Sequence, residues 1–351
     1  MRDLPQPLLE HQHIVEQFLR KHLEIVGAGG LPLYRMMQYQ LGWVDRDGLE
    51  EQTAPPARLL GALCMEAASS MMTESASDAA SLEAGGLVAA AFELLQQSMA
   101  VHEDMQIAEP HTEGRAAVWW IWGPAQAINV GDGLHALARL AAFRLRELGL
   151  PGEQVLAVAE GLDDAALQYY EGQYLELTYQ ERVDITEAQY VNMASAKRGA
   201  LFGGALGVGA MAAGADRRSA ELLRSFGSTL GLASQVWEDV DLIWGNRGEG
   251  RGRILNKSKL YPVVHALETG PIPRKRALGA IYFKRVMEPA DAEELRRILD
   301  EAGSREHAQT FATSHMNAAL AMLAEAGIAS GTVERWRAIA EALVLGEEAS
   351  G

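Results

Sequence analysis

Two short acidic clusters contain the residues of this sequence whose types and spacing best suit metal chemistry. One is HEDMQ at 102–106, the other is WEDVD at 237–241, and their carboxylates are Glu103, Asp104, Glu238, Asp239 and Asp241. Adjacent carboxylates repel one another unless protons or cations relieve the charge, and hard oxygen ligands suit Mg²⁺. Glu238 and Asp241 are three residues apart, so on a helix they share a face and can hold one ion together. An ordinary solvated helix end would show the same residue types, so both interpretations stay open at this point.

Helices must position these clusters, because apolar residues recur at three- and four-residue spacing through most of the chain. Alternating β-branched runs long enough for a sheet are absent from the sequence. The sequence therefore predicts an all-α fold. Helices are predicted at roughly 8–27, 57–72, 80–107, 122–148, 153–180, 186–213, 217–243, 258–268, 274–287, 290–301, 304–326 and 331–346.

Composition limits the class of protein and its partners. The 351 residues, 48% of them hydrophobic, can bury a large core. The 31 basic and 47 acidic residues give a net charge of −16, which disfavours nucleic acid as a partner. The single cysteine, Cys64, excludes an internal disulfide framework and is typical of a reducing cytoplasm. Residues 1–20 lack the apolar stretch of a signal peptide, so we expect a cytoplasmic protein.

The uncharged segment 199–215 (GALFGGALGVGAMAAGA) is the strongest candidate for a membrane helix. It is shorter than the roughly 20 residues that a membrane-spanning helix needs, and it is rich in glycine. We therefore expect a buried core helix and no membrane span. Since composition does not change abruptly along the chain, we predict a single domain over 1–351, with an N-terminal helix and loop at 1–56 and a core bundle at 57–351.

Further motifs accompany the acidic clusters in a fixed order. They are VWWIWG at 118–123, AQAINVGDGL at 125–134, YEGQYLE at 170–176, AKR at 196–198, QVWED at 235–239 and KSKLYPVV at 257–264. Together with the acids, they resemble the motifs of the trans-polyprenyl diphosphate synthase family over nearly the whole chain. The resemblance implies an isoprenoid synthase-type helical bundle around a central cavity that holds a prenyl chain. It also implies Mg²⁺ as cofactor, an allylic prenyl diphosphate of C10–C20 as substrate, and a homodimer.

The resemblance assigns roles to particular residues. It implies metal binding by Glu103, Asp104, Glu238 and Asp241, and catalytic roles for these four and for Asp239. The residues expected to bind the substrate diphosphate are Lys197, Gln235, Arg251, Lys257 and Lys259. The residues expected to line the cavity are Ser98, Met99, Trp119, Tyr170, Gln173, Tyr174 and Trp237.

The sequence also departs from the family pattern. Ile107 stands where the family has a second metal-ligating carboxylate, and Thr112-Glu113 stands where an arginine pair binds diphosphate. Leu242 occupies the last acidic position of the second motif. Of the N-terminal basic cluster, only Arg58 remains. The positions that hold isopentenyl diphosphate in the family are thus nearly erased, whereas those that serve the allylic diphosphate are partly retained.

Three hypotheses about function follow. The first is an enzyme that ionises one allylic diphosphate in the manner of a terpene synthase, without condensing it with isopentenyl diphosphate. The second is a non-catalytic or regulatory family member, a prenyl-binding subunit that forms a heteromer with an active prenyl synthase. The third is a chain-elongating prenyltransferase of the geranylgeranyl or farnesyl diphosphate synthase type.

Overall fold

The computed structural model describes residues 4–26, 30–51, 55–71, 79–112, 114–245, 251–325 and 328–346. Sixteen α-helices occupy these ranges, and the only paired strands among them are β1 (His111–Thr112) and β2 (Arg115–Ala116), which are antiparallel. The helices are α1 (Leu9–Val26), α2 (Pro32–Gln40), α3 (Leu59–Met71), α4 (Ala79–Gln106), α5 (Val118–Trp122), α6 (Pro124–Phe143), α7 (Gly152–Tyr179), α8 (Glu187–Ala194), α9 (Ala200–Ala212), α10 (Arg217–Trp244), α11 (Arg251–Leu255), α12 (Tyr261–Thr269), α13 (Ile272–Tyr282), α14 (Pro289–Glu301), α15 (Ser304–Glu325) and α16 (Ser330–Val344).

The all-α fold class predicted from sequence is confirmed, and most predicted helices lie within a few residues of observed ones. Two differences matter for the site. The helix predicted over 186–213 is divided into α8 and α9 by a π-helical turn at Ser195–Gly199. The helix predicted to begin at 122 begins at Pro124 as α6, because Gly123 adopts a φ of 86° and breaks the chain from α5.

Two compact units can be distinguished along the chain, and the single-domain interpretation stays a prediction. The first unit comprises residues 1–164 and 204–224. Its centre is α4, which packs against α3 and α6, and the fully buried side chains there include Phe92, Leu95 and Leu134. Glycine permits one close approach: a Cβ at Gly86 would lie 2.2 Å from the ring of Phe18.

The second unit comprises residues 165–203 and 225–351. Within it α12 packs against α8, α13 and α15, and α15 packs against α16. Trp336 is buried and meets Phe226 edge-on, with ring centroids 5.2 Å apart. Apolar packing of this kind forms the core of the second unit.

The glycine-rich segment 199–215 forms α9 and its flanks, and residues 200–210 are buried. A Cβ at Gly209 would lie 2.5 Å from the carbonyl oxygen of Cys64, so glycine is needed for this close helix contact. The expected buried core helix is therefore confirmed. Across the described ranges, no helix combines the length and apolar character that crossing a membrane requires.

Candidate functional site

Close packing of α7 on the π-helical turn places three charged residues of the second unit together. A Cβ at Gly172 would lie 2.9 Å from the carbonyl oxygen of Met193 and 3.0 Å from the amide of Lys197, so only glycine fits. One turn further along α7, Glu176 accepts a hydrogen bond from Nζ of Lys197 and another from Arg253, the latter at 2.8 Å. Glu176 and Lys197 are both nearly fully buried.

The environment of Glu176 keeps its carboxylate ionised. Burial alone would raise the pKa of this group, but the charges and hydrogen bonds of Lys197 and Arg253 outweigh it and hold the pKa well below the usual range. Nζ of Lys197 also lies 5.3 Å from the ring centroid of Tyr169. The cluster is therefore one anion shared by two cations.

The acids of the second motif lie in the last two turns of α10. Glu238 forms an ion pair with Arg198, the residue after Lys197 in the π-helical turn. The guanidinium of Arg198 also lies 3.4 Å from the carbonyl oxygen of Ser234. Glu238 and Asp241 are only partly buried, so both carboxylates keep access to solvent.

Asp239 points the other way and is 1% exposed. Its carboxylate accepts hydrogen bonds from the hydroxyl of Tyr190, from Gln235 Nε2 at 3.2 Å and from the backbone amide of Tyr261 at 2.8 Å. Burial raises the pKa of Asp239 to about 6, although the bonds from Tyr190 and Tyr261 and the charge of Arg253 oppose the shift. The side chain therefore joins α8, α10 and α12 from within.

The acids of the first motif lie at the end of α4, in the first unit. Asp104 is 9% exposed and accepts a hydrogen bond from the hydroxyl of Thr112, at 2.8 Å. Glu103 is partly buried. His102 Nε2 lies 3.6 Å from Asp132 Oδ1, and a Cβ at Gly131 would collide with its ring. The Gly-Asp step of α6 thus leaves room for the histidine beside the acids.

Two arginines of the first unit are bonded to protein groups. Arg58 is 0% exposed, and it donates to Glu16 at 3.0 Å and to the carbonyl oxygen of Leu41 at 2.5 Å. Arg115 donates to the carbonyl oxygens of Tyr39 and Val44 at 3.0 and 2.8 Å. Both guanidinium groups therefore stabilise the fold of this unit.

Three of the carboxylates, one in the first unit and two in the second, have the chemistry of magnesium ligands. Glu103, Glu238 and Asp241 are partly exposed and supply hard oxygen ligands, and Mg²⁺ binds through one or two carboxylates while keeping several waters. The bonds around Asp239 direct its oxygens into the second unit, toward Tyr190 and Tyr261. Asp239 therefore orients neighbouring helices.

Comparison with known proteins decides the family. The model of the polyprenyl synthetase family matches residues 51–300. The chain belongs to the polyprenyl synthetase family. It is 31% identical over 300 residues to geranylgeranyl diphosphate synthase of Mycobacterium tuberculosis (strain ATCC 25618 / H37Rv), which covers 84% of this chain and 82% of the relative. It is 27% identical over 303 residues to (2E,6E)-farnesyl diphosphate synthase of Mycobacterium bovis, covering 84% of this chain and 80% of that one.

The solved structures agree with this assignment. The crystal structure of a polyprenyl synthetase from Streptomyces coelicolor A3(2) matches with a TM-score of 0.84 and 26% identity. The match covers 97% of this chain and 100% of that one. The isoprenoid synthase-type helical fold expected from the resemblance is therefore confirmed.

The residues of this polyprenyl synthetase that were predicted to line the cavity lie in different surroundings. On α4, Ser98 and Met99 are buried, as is Gln173 on α7. Trp119 and Trp237 are partly buried, and the indole of Trp119 donates to the carbonyl oxygen of Glu109 at 2.7 Å. The two remaining aromatic residues are exposed, with Tyr170 at 37% and Tyr174 at 70%.

The predicted diphosphate-binding residues also differ in their contacts. Gln235 contacts Asp239, and Lys197 pairs with Glu176, as described above. Lys259 is 3% exposed, and its ammonium donates to the carbonyl oxygens of Gln180 and Lys257 at 2.7 and 3.2 Å. Burial lowers the pKa of Lys259 to about 7. Lys257 is partly buried with a φ of 64°, and the side chain of Arg251 lies outside the described residues.

Several polar contacts of this site were not predicted from the sequence. Glu176, Arg198 and Arg253 complete the ion pairs around the π-helical turn, and Tyr190 holds Asp239. The signal for Glu176 was present, since GQYLE at 172–176 resembles the Gly-Gln-x-x-Asp helix of the family with glutamate in the acidic position. For Tyr190 no motif supplied a signal.

Proposed function

We propose that the protein is a chain-elongating prenyl diphosphate synthase, which joins an allylic prenyl diphosphate of C10–C20 to isopentenyl diphosphate. The observation that supports this most directly is the 31% identity to a geranylgeranyl diphosphate synthase across 84% of the chain. The farnesyl diphosphate synthase relative, which covers as much of the chain, supports the same class of reaction. The comparisons thus favour elongation over the terpene synthase-like reaction that the sequence alone ranks first.

The side chains have distinct roles in this proposal. Glu103 is a magnesium ligand in the first unit, and Glu238 with Asp241 holds Mg²⁺ in the second unit. When bound, the metal supplies the positive charge that stabilises a leaving diphosphate. Lys197 and Arg253 place two positive charges beside Glu176, which favours an anionic substrate group nearby. Asp239 and Gln235 position α10 rather than contact the substrate.

A second candidate function is ionisation of one allylic diphosphate without condensation. The contacts of Arg58 and Arg115 favour it, because both guanidinium groups are bonded to protein acceptors in the first unit. A second diphosphate needs further cations to bind it. A chain with a net charge of −16 has more acidic than basic residues, which disfavours a second anion. In this case the enzyme would release hydrocarbons or alcohols.

A product assay separates the candidates. Purified protein is incubated with C10, C15 and C20 allylic diphosphates and Mg²⁺, with and without labelled isopentenyl diphosphate. Elongation gives a longer labelled prenyl diphosphate, whereas ionisation gives unlabelled hydrocarbons or alcohols that do not require isopentenyl diphosphate. Lack of incorporation overturns elongation, and turnover of neither kind supports the regulatory subunit that needs a partner synthase.

The oligomer that we propose is a homodimer. Large apolar side chains on two long helices are exposed in the single chain, and exposed apolar groups of this kind are common at subunit interfaces. They are Ile128 and Leu140 on α6, and Leu156, Leu167 and Tyr174 on α7. Light scattering on the purified protein is expected to give twice the chain mass of 38.0 kDa, and a charged residue at Leu167 is expected to return it to the monomer value.

A further inference from the structure

Three helices of the second unit bring Glu187, His265 and His307 together. Glu187 is the first residue of α8, His265 lies on α12 and His307 lies on α15. Nδ1 of His265 is 2.7 Å from Oε1 of Glu187, and Nε2 of His307 is 3.2 Å from Oε2 of the same carboxylate. These donor atoms all lie within 4.8 Å of one another. None of the three belongs to the acidic motifs.

The carboxylate at the centre of this cluster is held by its surroundings. The hydroxyl of Tyr261 donates to Oε2 of Glu187 at 2.7 Å. The start of α8 is fixed by a capping box between Thr186 and Gln189, and the amide of Glu187 donates to the carboxylate of Glu268 at 2.5 Å. Such outer contacts orient a metal ligand before the ion arrives.

The cluster is also open to an ion from solvent. The side chain of His307 is 40% exposed, while those of Glu187 and His265 are 25% and 13% exposed. An ion can therefore enter beside His307, with the other two ligands fixed below the surface.

The donor set is one that late first-row divalent cations prefer. Two imidazoles and one carboxylate leave a further position for water, as in known Zn²⁺ sites. Binding requires neutral imidazole and ionised carboxylate. Burial alone would raise the pKa of Glu187, but hydrogen bonds from His265, Tyr261 and His307 outweigh it and lower the pKa, so the carboxylate is ionised at neutral pH.

We propose that Glu187, His265 and His307 form a binding site for a late first-row divalent cation, with Zn²⁺ as its representative. Nδ1 of His265, Nε2 of His307 and one oxygen of Glu187 bind the ion, and each neutral imidazole then carries its proton on its other ring nitrogen. The rings of His265 and His307 stack at 3.8 Å with an interplanar angle of 17°. Because parallel rings cannot direct both lone pairs at one ion, loading tilts one ring, and His307 is the more exposed of the two.

The site has a direct structural connection to the second acidic motif. Tyr261 donates its hydroxyl to Glu187 and its backbone amide to Asp239, so the first turn of α12 is bonded to both. An ion that fixes Glu187 therefore also fixes the helix start that holds Asp239. The site takes a second class of metal and is independent of the proposed prenyl chemistry.

Metal titration of the full chain tests the site. Protein freed of metal is titrated with Zn²⁺ against a chromogenic chelator, with Mg²⁺ in large excess to occupy the oxygen-rich sites. Glu187→Gln and His307→Asn each remove one ligand, and His315→Asn is the matched control. His315 lies two turns further along α15, where its ring stacks on Phe311 and Nδ1 bonds the carbonyl of Phe311.

The expected result is one Zn²⁺ bound by the parent chain and by His315→Asn. Each ligand variant is expected to lose more than about tenfold in affinity, since removing even an outer contact of a metal site costs about 10- to 100-fold. Co²⁺ is expected to give visible absorption in the parent that both ligand variants lose. Circular dichroism checks folding, and His307→Asn, at a half-exposed position, keeps the test valid if Glu187→Gln unfolds. Zinc binding that is absent from the parent, or unchanged in the two ligand variants, overturns the proposal.

Discussion

The two acidic motifs differ in what surrounds their carboxylates. In the second unit, Glu238 pairs with Arg198, and the neighbouring Lys197 pairs with the buried Glu176. In the first unit, Asp104 receives the hydroxyl of Thr112, in a hairpin that is largely exposed. An ion pair between buried groups fixes side chains more firmly than a hydrogen bond from a hydroxyl on an exposed residue. The ion pairs beside the second motif are therefore expected to be stronger than the hydroxyl contact in the first.

The largest expected effect is on the ion pairs beside the second motif. Glu176→Gln leaves Lys197 and Arg253 without their shared anion in a buried place, which is expected to cost about 3–5 kcal/mol of unfolding free energy. Urea denaturation measures this. The control is Glu171→Gln, an exposed residue of the same helix, which is expected to unfold like the parent. Equal stability of Glu176→Gln and Glu171→Gln would show that the ion pairs around Glu176 do not stabilise the fold.

The next effect concerns activity. Glu238→Gln removes a proposed magnesium ligand and the partner of Arg198, and kcat/KM is expected to fall at least about a hundredfold. Diphosphate release from an allylic substrate measures the rate. Glu221→Gln, exposed near the start of the same helix, is expected to keep the parent rate. Turnover in Glu238→Gln at the parent level would show that this carboxylate binds no catalytic metal.

A pH-dependent effect is expected at Asp239. Its pKa rises from 3.8 in the unfolded chain to about 6 in the fold, so the stability from this group is complete below about pH 4 and is lost as the pH rises through 6. The Tyr190 hydroxyl opposes that loss by bonding the ionised carboxylate. Tyr190→Phe is therefore expected to cost about 1.5–3 kcal/mol at pH 8 and less at pH 5.

Thermal or urea unfolding at the two pH values checks this prediction. Tyr39→Phe is a suitable control, because its hydroxyl bonds the neutral carbonyl of Ala116 at 2.7 Å in the first unit. Its cost is expected to be the same at both pH values. A Tyr190→Phe cost that does not vary with pH would mean that Asp239 does not titrate in this range.

The smallest effect is expected in the first motif. Thr112→Val removes a partly buried hydrogen bond to Asp104, and the expected loss is about 0.5–1.5 kcal/mol of unfolding free energy. Urea denaturation beside Tyr190→Phe measures the difference between the motifs directly. A loss as large as that of Glu176→Gln would show that the first motif is as firmly held as the second.

The helices and the acidic motifs could be predicted from the sequence, because apolar spacing and short motifs are local signals. The nine-residue α2 was missed, since so short a helix shows little more than two turns of periodicity. The π-helical turn was missed because it keeps helical spacing and changes only the hydrogen-bond register. This turn places Lys197 and Arg198 beside different carboxylates, and that placement was therefore not predicted either.

The remaining features of the site could not be predicted, because they depend on contacts between segments that are distant in the sequence. His265 and His307 lie 78 and 120 residues from Glu187 along the chain. The spacing between the two histidines is not that of a metal-binding sequence motif. Arg58 was predicted as the survivor of a diphosphate-binding cluster, yet its partners Glu16 and Leu41 lie in α1 and after α2. Only the tertiary structure shows which acceptor a buried cation contacts.

Cys64 has a practical consequence for experiments on the enzyme. It is a free thiol that is fully buried against α9, and burial raises its pKa, so it carries little thiolate in the folded chain. A cysteine introduced at an exposed position, such as Glu171 on α7, therefore becomes the reactive thiol for a maleimide dye. The native chain then serves as the unlabelled blank, and fluorescence from α7 follows ligand binding without first removing a natural cysteine.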